Sequence, residues 1–185
     1  MTYIAEYRQS LQEALAAVDV DQVQQLRDAL YQARASHRNI FTCGNGGSAA
    51  TASHFSTDLS KGASFGKQLR FRVLALTDAT PTISAYSNDV SYDVVYEEQL
   101  RNLAGPGDVV VAISGSGESE NVVRALTVGR ELGAVAVALT GRSGGRLGAA
   151  ADIHINVPEP HMGRIEDVHL AICHMVAFSF IDQEH

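Results

Sequence analysis

Five short apolar runs in this chain each stop on turn-forming residues, and helix-like stretches fill the gaps between them. The runs are "NIFTCGNGG" from Asn39, "LRFRVLALTD" from Leu69, "GDVVVAISGSG" from Gly107, "AVAVALTGRSGG" from Ala134 and "ADIHINVPEP" from Ala151. The helix-like stretches are Ser48–Leu59, Thr80–Ser87, Tyr92–Leu103, Ser119–Leu132 and Arg146–Ala151. Strands that alternate with helices form βαβ units and a parallel sheet. Strands that are apolar almost throughout have both faces covered. The expected body is an α/β fold, a three-layer sandwich around a roughly five-stranded parallel sheet. A last helix over Arg164–Phe180 closes it.

The N-terminal segment reads differently. Ile4, Leu11, Leu15 and Val18 recur at helical steps, and Val23, Leu26 and Leu30 do so after a break at Asp19–Asp21, where an aspartate can cap the second helix. Both stripes are narrow, with polar opposite faces, so these helices need a surface to lie on. That surface is either the α/β body or another copy of the arm. The chain is thus read as one domain, 1–185, with a helical arm over 1–36 and a body over 37–185.

Composition removes several classes of function. The chain has 185 residues, 45% apolar and 19% charged, enough for one sizeable core. Its net charge of −7 argues against non-specific nucleic-acid binding and against a basic membrane patch. An anionic substrate must therefore be held by local donors. No run approaches the ~18 apolar residues of a membrane span. The opening "MTYIAEYRQSLQEAL" has acids and no apolar core run, unlike a secretory signal. The two cysteines, Cys43 and Cys173, form no CxxC pair, which suits a reduced, cytoplasmic protein.

Two loops resemble each other. "TCGNGGSAATA" follows the first strand and "AISGSGESENV" the third, each with small polar residues leading into a helix start. In open α/β sheets, ligands bind beyond the carboxyl ends of the strands. Glycines admit an anion close to the backbone, and a helix N-terminus offers N–H groups and partial positive charge. Ser114, Ser116 and Ser119 add hydroxyl donors, so the second loop suits a phosphate monoester without any lysine. The first loop also fits the dinucleotide fingerprint GxGxxG/A, but the acid that pattern needs ~20 residues on is missing. The nearest suitably placed one is Asp78. The P-loop pattern and a nucleophile elbow with a triad are absent as well. A plain tight turn would explain either loop alone, but explains two on one edge less well.

These segments resemble the sugar isomerase (SIS) family and, within it, the phosphoheptose isomerases. "CGNGGSAATASHF", "SNDVSYD", "PGDVVVAISGSGES", "LTGRSGG" and "GRIEDVHLAICH" occur in that family's order and spacing, and the likeness runs from the arm to about residue 182. The resemblance implies a five-stranded parallel sheet between helices, usually in a homotetramer. It implies a sugar-phosphate substrate, sedoheptulose 7-phosphate, converted to D-glycero-D-manno-heptose 7-phosphate. It makes Ser114, Ser116 and Ser119 phosphate ligands, with Gly115 where the family often carries threonine. Asn45, Gly46, Gly47 and Ser48 would line the sugar side, and Asn88 with Asp89 would contact substrate hydroxyls. The family's zinc ligands fall on His54, Asp58, Glu166 and His174.

The residues themselves allow that cluster. His54 and Asp58 are four apart on one predicted helix and share a face, and Glu166 and His174 are two turns apart on another. Two imidazoles and two carboxylates suit a divalent metal such as zinc. A His–Asp helix salt bridge and first-turn acids at Glu166 and Asp167 are the plainer readings. His169 reads as a core or supporting residue, and Cys173 as a buried structural thiol.

Two departures stand out: aspartate at 58 and glutamate at 166 replace the family's glutamate and glutamine. A carboxylate set back by a bond length can cost ~100-fold in rate unless the backbone compensates. Because one acid shortens while an amide becomes an acid, the exchange looks paired. Isomerisation through an enediol needs a base, an acid and charge stabilisation. The expected base is Asp58, with Glu166 as its alternate and His174 as acid–base partner. The rival is a non-catalytic SIS protein that binds sugar phosphates or, like one tetrameric relative, the bacterial replication initiator. That relative lacks the acid at 58 and the histidine at 174, both present in this chain. An isomerase of another long sugar phosphate, such as an octose, is the second rival.

Overall fold

The computed structural model describes residues 2–182. Two arm helices come first, α1 (Tyr3–Ala16) and α2 (Val20–Ala35). Asp19 caps α2 by accepting from the backbone N–H of Asp21 at 2.9 Å and Gln22 at 3.3 Å. The body then alternates: β1 (Asn39–Gly44), α3 (Gly47–Thr57), β2 (Arg72–Ala75), α4 (Thr80–Asp89), α5 (Glu97–Leu103), β3 (Val109–Ser114), α6 (Glu120–Glu131), β4 (Val135–Gly141), α7 (Gly145–Ala150), β5 (Ile153–Val157) and α8 (Met162–Asp182).

All five strands are parallel, in the order β2-β1-β3-β4-β5. Side chains alternate between two cores, as strand geometry requires. Val109, Val111 and Ile113 of β3 join a cluster with α2, α3 and α8, whereas Val110 and Ala112 join one with α5, α6 and α7. α3 therefore crosses on one face, and the later crossovers run on the other. In this order the direction reverses between β1 and β3, and a crevice opens beyond their carboxyl ends.

Most elements fall where the apolar pattern puts them; four differ. The helix expected over Ser48–Leu59 ends at Thr57, and a π-helical turn, Asp58–Gly62, carries Asp58. The stretch 92–103 is a short 3₁₀ turn at Tyr92–Val94 followed by α5, not one helix. β2 holds only four residues and lies at the sheet edge, paired with β1 alone. α8 starts at Met162, before the expected Arg164, so Glu166 and Asp167 lie beyond its first turn. That rules out the first-turn dipole explanation for these acids.

The arm lies on the body. Val23, Leu26 and Leu30 share one cluster with β3 and α8. From α1, the Tyr7 hydroxyl donates to Asp167 on α8 at 2.6 Å. The arm also leaves apolar surface open, with Tyr3 68%, Ile4 80% and Val20 74% exposed. If α2 is part of the fold, Leu30→Ala should cost about 2–5 kcal/mol in urea unfolding, the range for a fully buried leucine. A detached arm would lose less than about 0.5 kcal/mol, as surface changes do.

Candidate active site

The crevice at the β1/β3 switch point is a cavity of about 260 Å³. Its lining includes Asn45, Gly46, Gly47 and Ser48 from the first loop and Ser114, Gly115, Ser116 and Ser119 from the second. Glu166 and Met162 of α8 and Ile113 complete it. The two loops that look alike in sequence therefore face one space.

Backbone demands shape the first loop. Gly46 has φ +54° and ψ −121°, which favours glycine, and it stands just before α3. A Cβ at Gly44 would lie 2.8 Å from the Ser48 backbone, so glycine lets α3 start tight against the strand. Asn45 is held by a reciprocal amide pair with Asn121 of α6, both bonds 2.9 Å. The Tyr92 hydroxyl donates to Asn45 Oδ1 at 2.9 Å, and Tyr96 donates to the Gly44 carbonyl at 2.6 Å. Asn121 thus bolts one loop to the other. Nothing in the spacing marks Asn121, Tyr92 or Tyr96, because their role comes from packing between elements distant in sequence.

In the second loop three hydroxyls converge. Ser114 Oγ lies 3.3 Å from both Ser116 Oγ and Ser119 Oγ. The N–H groups of Gly117 and Glu118 brace Ser114 and Ser116, each at 3.2 Å. Ser119 stands at the N-cap of α6 without a capping bond from its side chain, and the first N–H groups of a helix have no intrahelical acceptor. Hydroxyls and N–H groups around one point suit a tetrahedral anion.

Two acids in this loop, Glu118 and Glu120, look wrong for an anion site. Arg146 accounts for both. Its Nε meets Glu118 at 2.8 Å and its Nη1 meets Glu120 at 2.9 Å, while Arg124 adds a 2.6 Å contact to Glu120. These bonds hold both carboxyls below their ordinary range, the Arg146 contact leading at Glu118 and the Arg124 contact at Glu120. The loop backbone is clamped too, since Arg146 Nη2 donates to the Glu118 carbonyl at 3.0 Å. The sequence signal was Arg146 directly after Gly144-Gly145, readable only once α7 is known to lie beside the loop.

A second group of side chains gathers at the end of α3, from that helix, from the π-helical turn Asp58–Gly62 that follows it and from α8. His54, Asp58 and His174 each offer a ligand atom, all within 4.8 Å of one another. The edges are 3.1 Å between the Nε2 atoms, and 3.4 Å and 3.7 Å from His54 and His174 to Asp58 Oδ2. Ligands ~2.1 Å from a tetrahedral zinc lie ~3.4 Å apart, so this triangle fits three corners of such a site. Asp58 Oδ2 is buried yet has no hydrogen-bond partner among the described residues, which a cation would satisfy. The triad is compatible with zinc.

Glu166 is not in that triangle. Its carboxylate lies over Gly47, where a Cβ would meet both oxygens at 2.5 Å, and it faces the cavity. Asn88 and Asp89 also lie outside the cavity lining; they are on α4 and hydrogen-bond each other at 2.7 Å. His169 is core: Nε2 is 2.9 Å from the Thr140 carbonyl, and burial pushes its pKa down to about 4, so it stays neutral. Cys173 is buried and its thiol is pushed up by that burial, as expected of a structural residue.

Comparison with known proteins follows the same lines. The family model described as "SIS domain" matches residues 2–141. The phosphoheptose isomerase of Aliarcobacter butzleri is 36% identical over 181 residues, covering 98% of this chain and 90% of that protein. That of Coxiella burnetii is 38% identical over 173 residues, covering 91% and 86%. Among solved structures, phosphoheptose isomerase GmhA from Neisseria gonorrhoeae superposes with a TM-score of 0.87 at 35% identity, covering 96% and 94%. A phosphoheptose isomerase from Francisella tularensis gives 0.91 at 28% identity over the whole of both chains. By its matched length, its relatives and its sheet, this chain belongs to the SIS domain family.

Proposed function

We propose that the chain is an aldose–ketose isomerase that converts sedoheptulose 7-phosphate to D-glycero-D-manno-heptose 7-phosphate. One observation carries the reading: a hydroxyl cradle and a carboxylate, Glu166, share a cavity that α3 links to the His54–Asp58–His174 triad. The relatives' names point to the same reaction.

The division of labour among acids follows. His54, Asp58 and His174 would hold a zinc ion. When bound, that ion polarises the C2 carbonyl. Glu166 would take the proton from C1 to leave the enediolate and return it to C2, while a second proton passes from O1 to O2. This reassigns the base from Asp58, whose orphaned oxygen sits between two imidazoles, to the carboxylate that faces the cavity. It also gives the paired departures a reason: a shorter acid at 58 serves as a ligand, and the new acid at 166 serves as base.

The exposed apolar residues of α1, together with α4, which buries none of its residues, would be covered in a homotetramer. The second copy would bring Asn88 and Asp89 toward a site. Both cysteines are free thiols, and no described helix is long and apolar enough to cross a membrane, in keeping with a cytoplasmic enzyme.

Four measurements test this. Ser116→Ala and Ser119→Ala should each raise KM for sedoheptulose 7-phosphate about tenfold to 150-fold, the equivalent of the ~1.5–3 kcal/mol of a hydrogen bond to a charged group, leaving Tm unchanged. Unchanged KM in both would remove the loop as phosphate site. Glu166→Gln should lower kcat at least ~100-fold with zinc content intact, within the range for general acid–base catalysis. Asp58→Asn and His174→Ala should lose zinc and turnover together. Zinc loss in Glu166→Gln would return Glu166 to the ligand set. Light scattering on dilute protein should give the mass of four chains; a single-chain mass throughout would refute the assembly.

A further inference from the structure

Gly115 lies at the centre of the hydroxyl cradle, and its φ is not in the left-handed region, so its backbone does not demand glycine. Space does. A Cβ at Gly115 would lie 2.5 Å from Met162 Sδ and 3.4 Å from both Met162 Cε and Ile165 Cγ2. Met162 opens α8, lines the same cavity and is 38% exposed, so its thioether is the part of that wall able to move. Among the described residues, the only other apolar side chain in the lining is Ile113, which is fully buried in the sheet.

We propose that Met162 is a specificity-determining residue that separates phosphate esters from free phosphate, its thioether filling the space a side chain at 115 would occupy and packing on the carbon next to the phosphate. The inference rests on the phosphate-loop reading above. A threonine at 115 offers the phosphate another hydroxyl. Here that donor is replaced by an apolar contact, which inorganic phosphate cannot use because it has no carbon. Gly115 and Met162 therefore form a coupled pair: a side chain at 115 requires the thioether to leave.

The test is calorimetric binding of sedoheptulose 7-phosphate and of inorganic phosphate to the parent, Met162→Ala, Gly115→Thr and the double variant. Met162→Ala should weaken the sugar phosphate about fivefold to tenfold and leave inorganic phosphate within twofold. Gly115→Thr alone should weaken both ligands at least tenfold, and adding Met162→Ala should recover most of that loss. Gly115→Ala, read the same way, serves if the threonine variant does not fold. Equal weakening of the two ligands by Met162→Ala overturns the inference, as does a Gly115→Thr loss of the same size with and without Met162. A parent that binds neither ligand overturns the phosphate loop and this inference together. A parent that binds both without isomerising the sugar phosphate overturns the proposed function alone, and the pair is still decided by the binding ratios.

Discussion

The reversal of strand order between β1 and β3 is the constraint on which the rest of the molecule depends. The helix leaving β1 crosses one face and the helix leaving β3 crosses the other. Their N-termini therefore open beside each other at one edge, and neither helix covers the other's end. An anion there meets two sets of unsatisfied N–H groups at once. The two glycine- and serine-rich loops follow from this. Each must turn sharply out of a buried strand, and the Asn45–Asn121 amide pair then fixes the gap between them.

α8 supplies the wall that the sheet cannot. Its first turns press Met162, Ile165 and Glu166 over Gly115, Gly141 and Gly47, at the ends of β3, β4 and β1. Each glycine marks a point where a side chain of α8 replaces a Cβ. Behind this wall the helix is pinned by Arg164 on Glu159 at 2.6 Å and by the Tyr7 hydroxyl on Asp167. The arm thus supports the site as well as the core, because the residue that Tyr7 holds is next to Glu166.

The sheet, its helices and both loops were legible because their signals are local: apolar runs, helical steps and glycines at fixed places. Asp19 as a cap was legible for the same reason. The pairing of His54 with Asp58 followed from helix spacing, and His174 joins them at hydrogen-bond distance. What was not legible depends on where distant elements meet. Glu166 shares a helix with His174, but two turns of α8 carry its carboxylate to Gly47 instead of the triad. Helical spacing gives a face and not a depth, so it could not separate a ligand from a cavity wall. Asn121, Arg146 and Met162 stayed hidden for the same reason, since each acts on a loop from another part of the chain.

A chain with net charge −7 that holds a phosphate dianion must solve an electrostatic problem locally. Arg146, which clamps this loop, is committed to the loop's own acids. On the proposed reading the phosphate is then held by neutral donors, the hydroxyls of Ser114, Ser116 and Ser119 and the N–H groups at the start of α6. Neutral donors do little at long range, so they hardly steer an anion inward. They gain in a cavity, where the effective dielectric is lower than in water. The arrangement therefore favours selection by fit over capture by charge. An apolar thioether in the same lining acts in that sense, because it discriminates by the carbon attached to the phosphate, which the phosphate's charge cannot report.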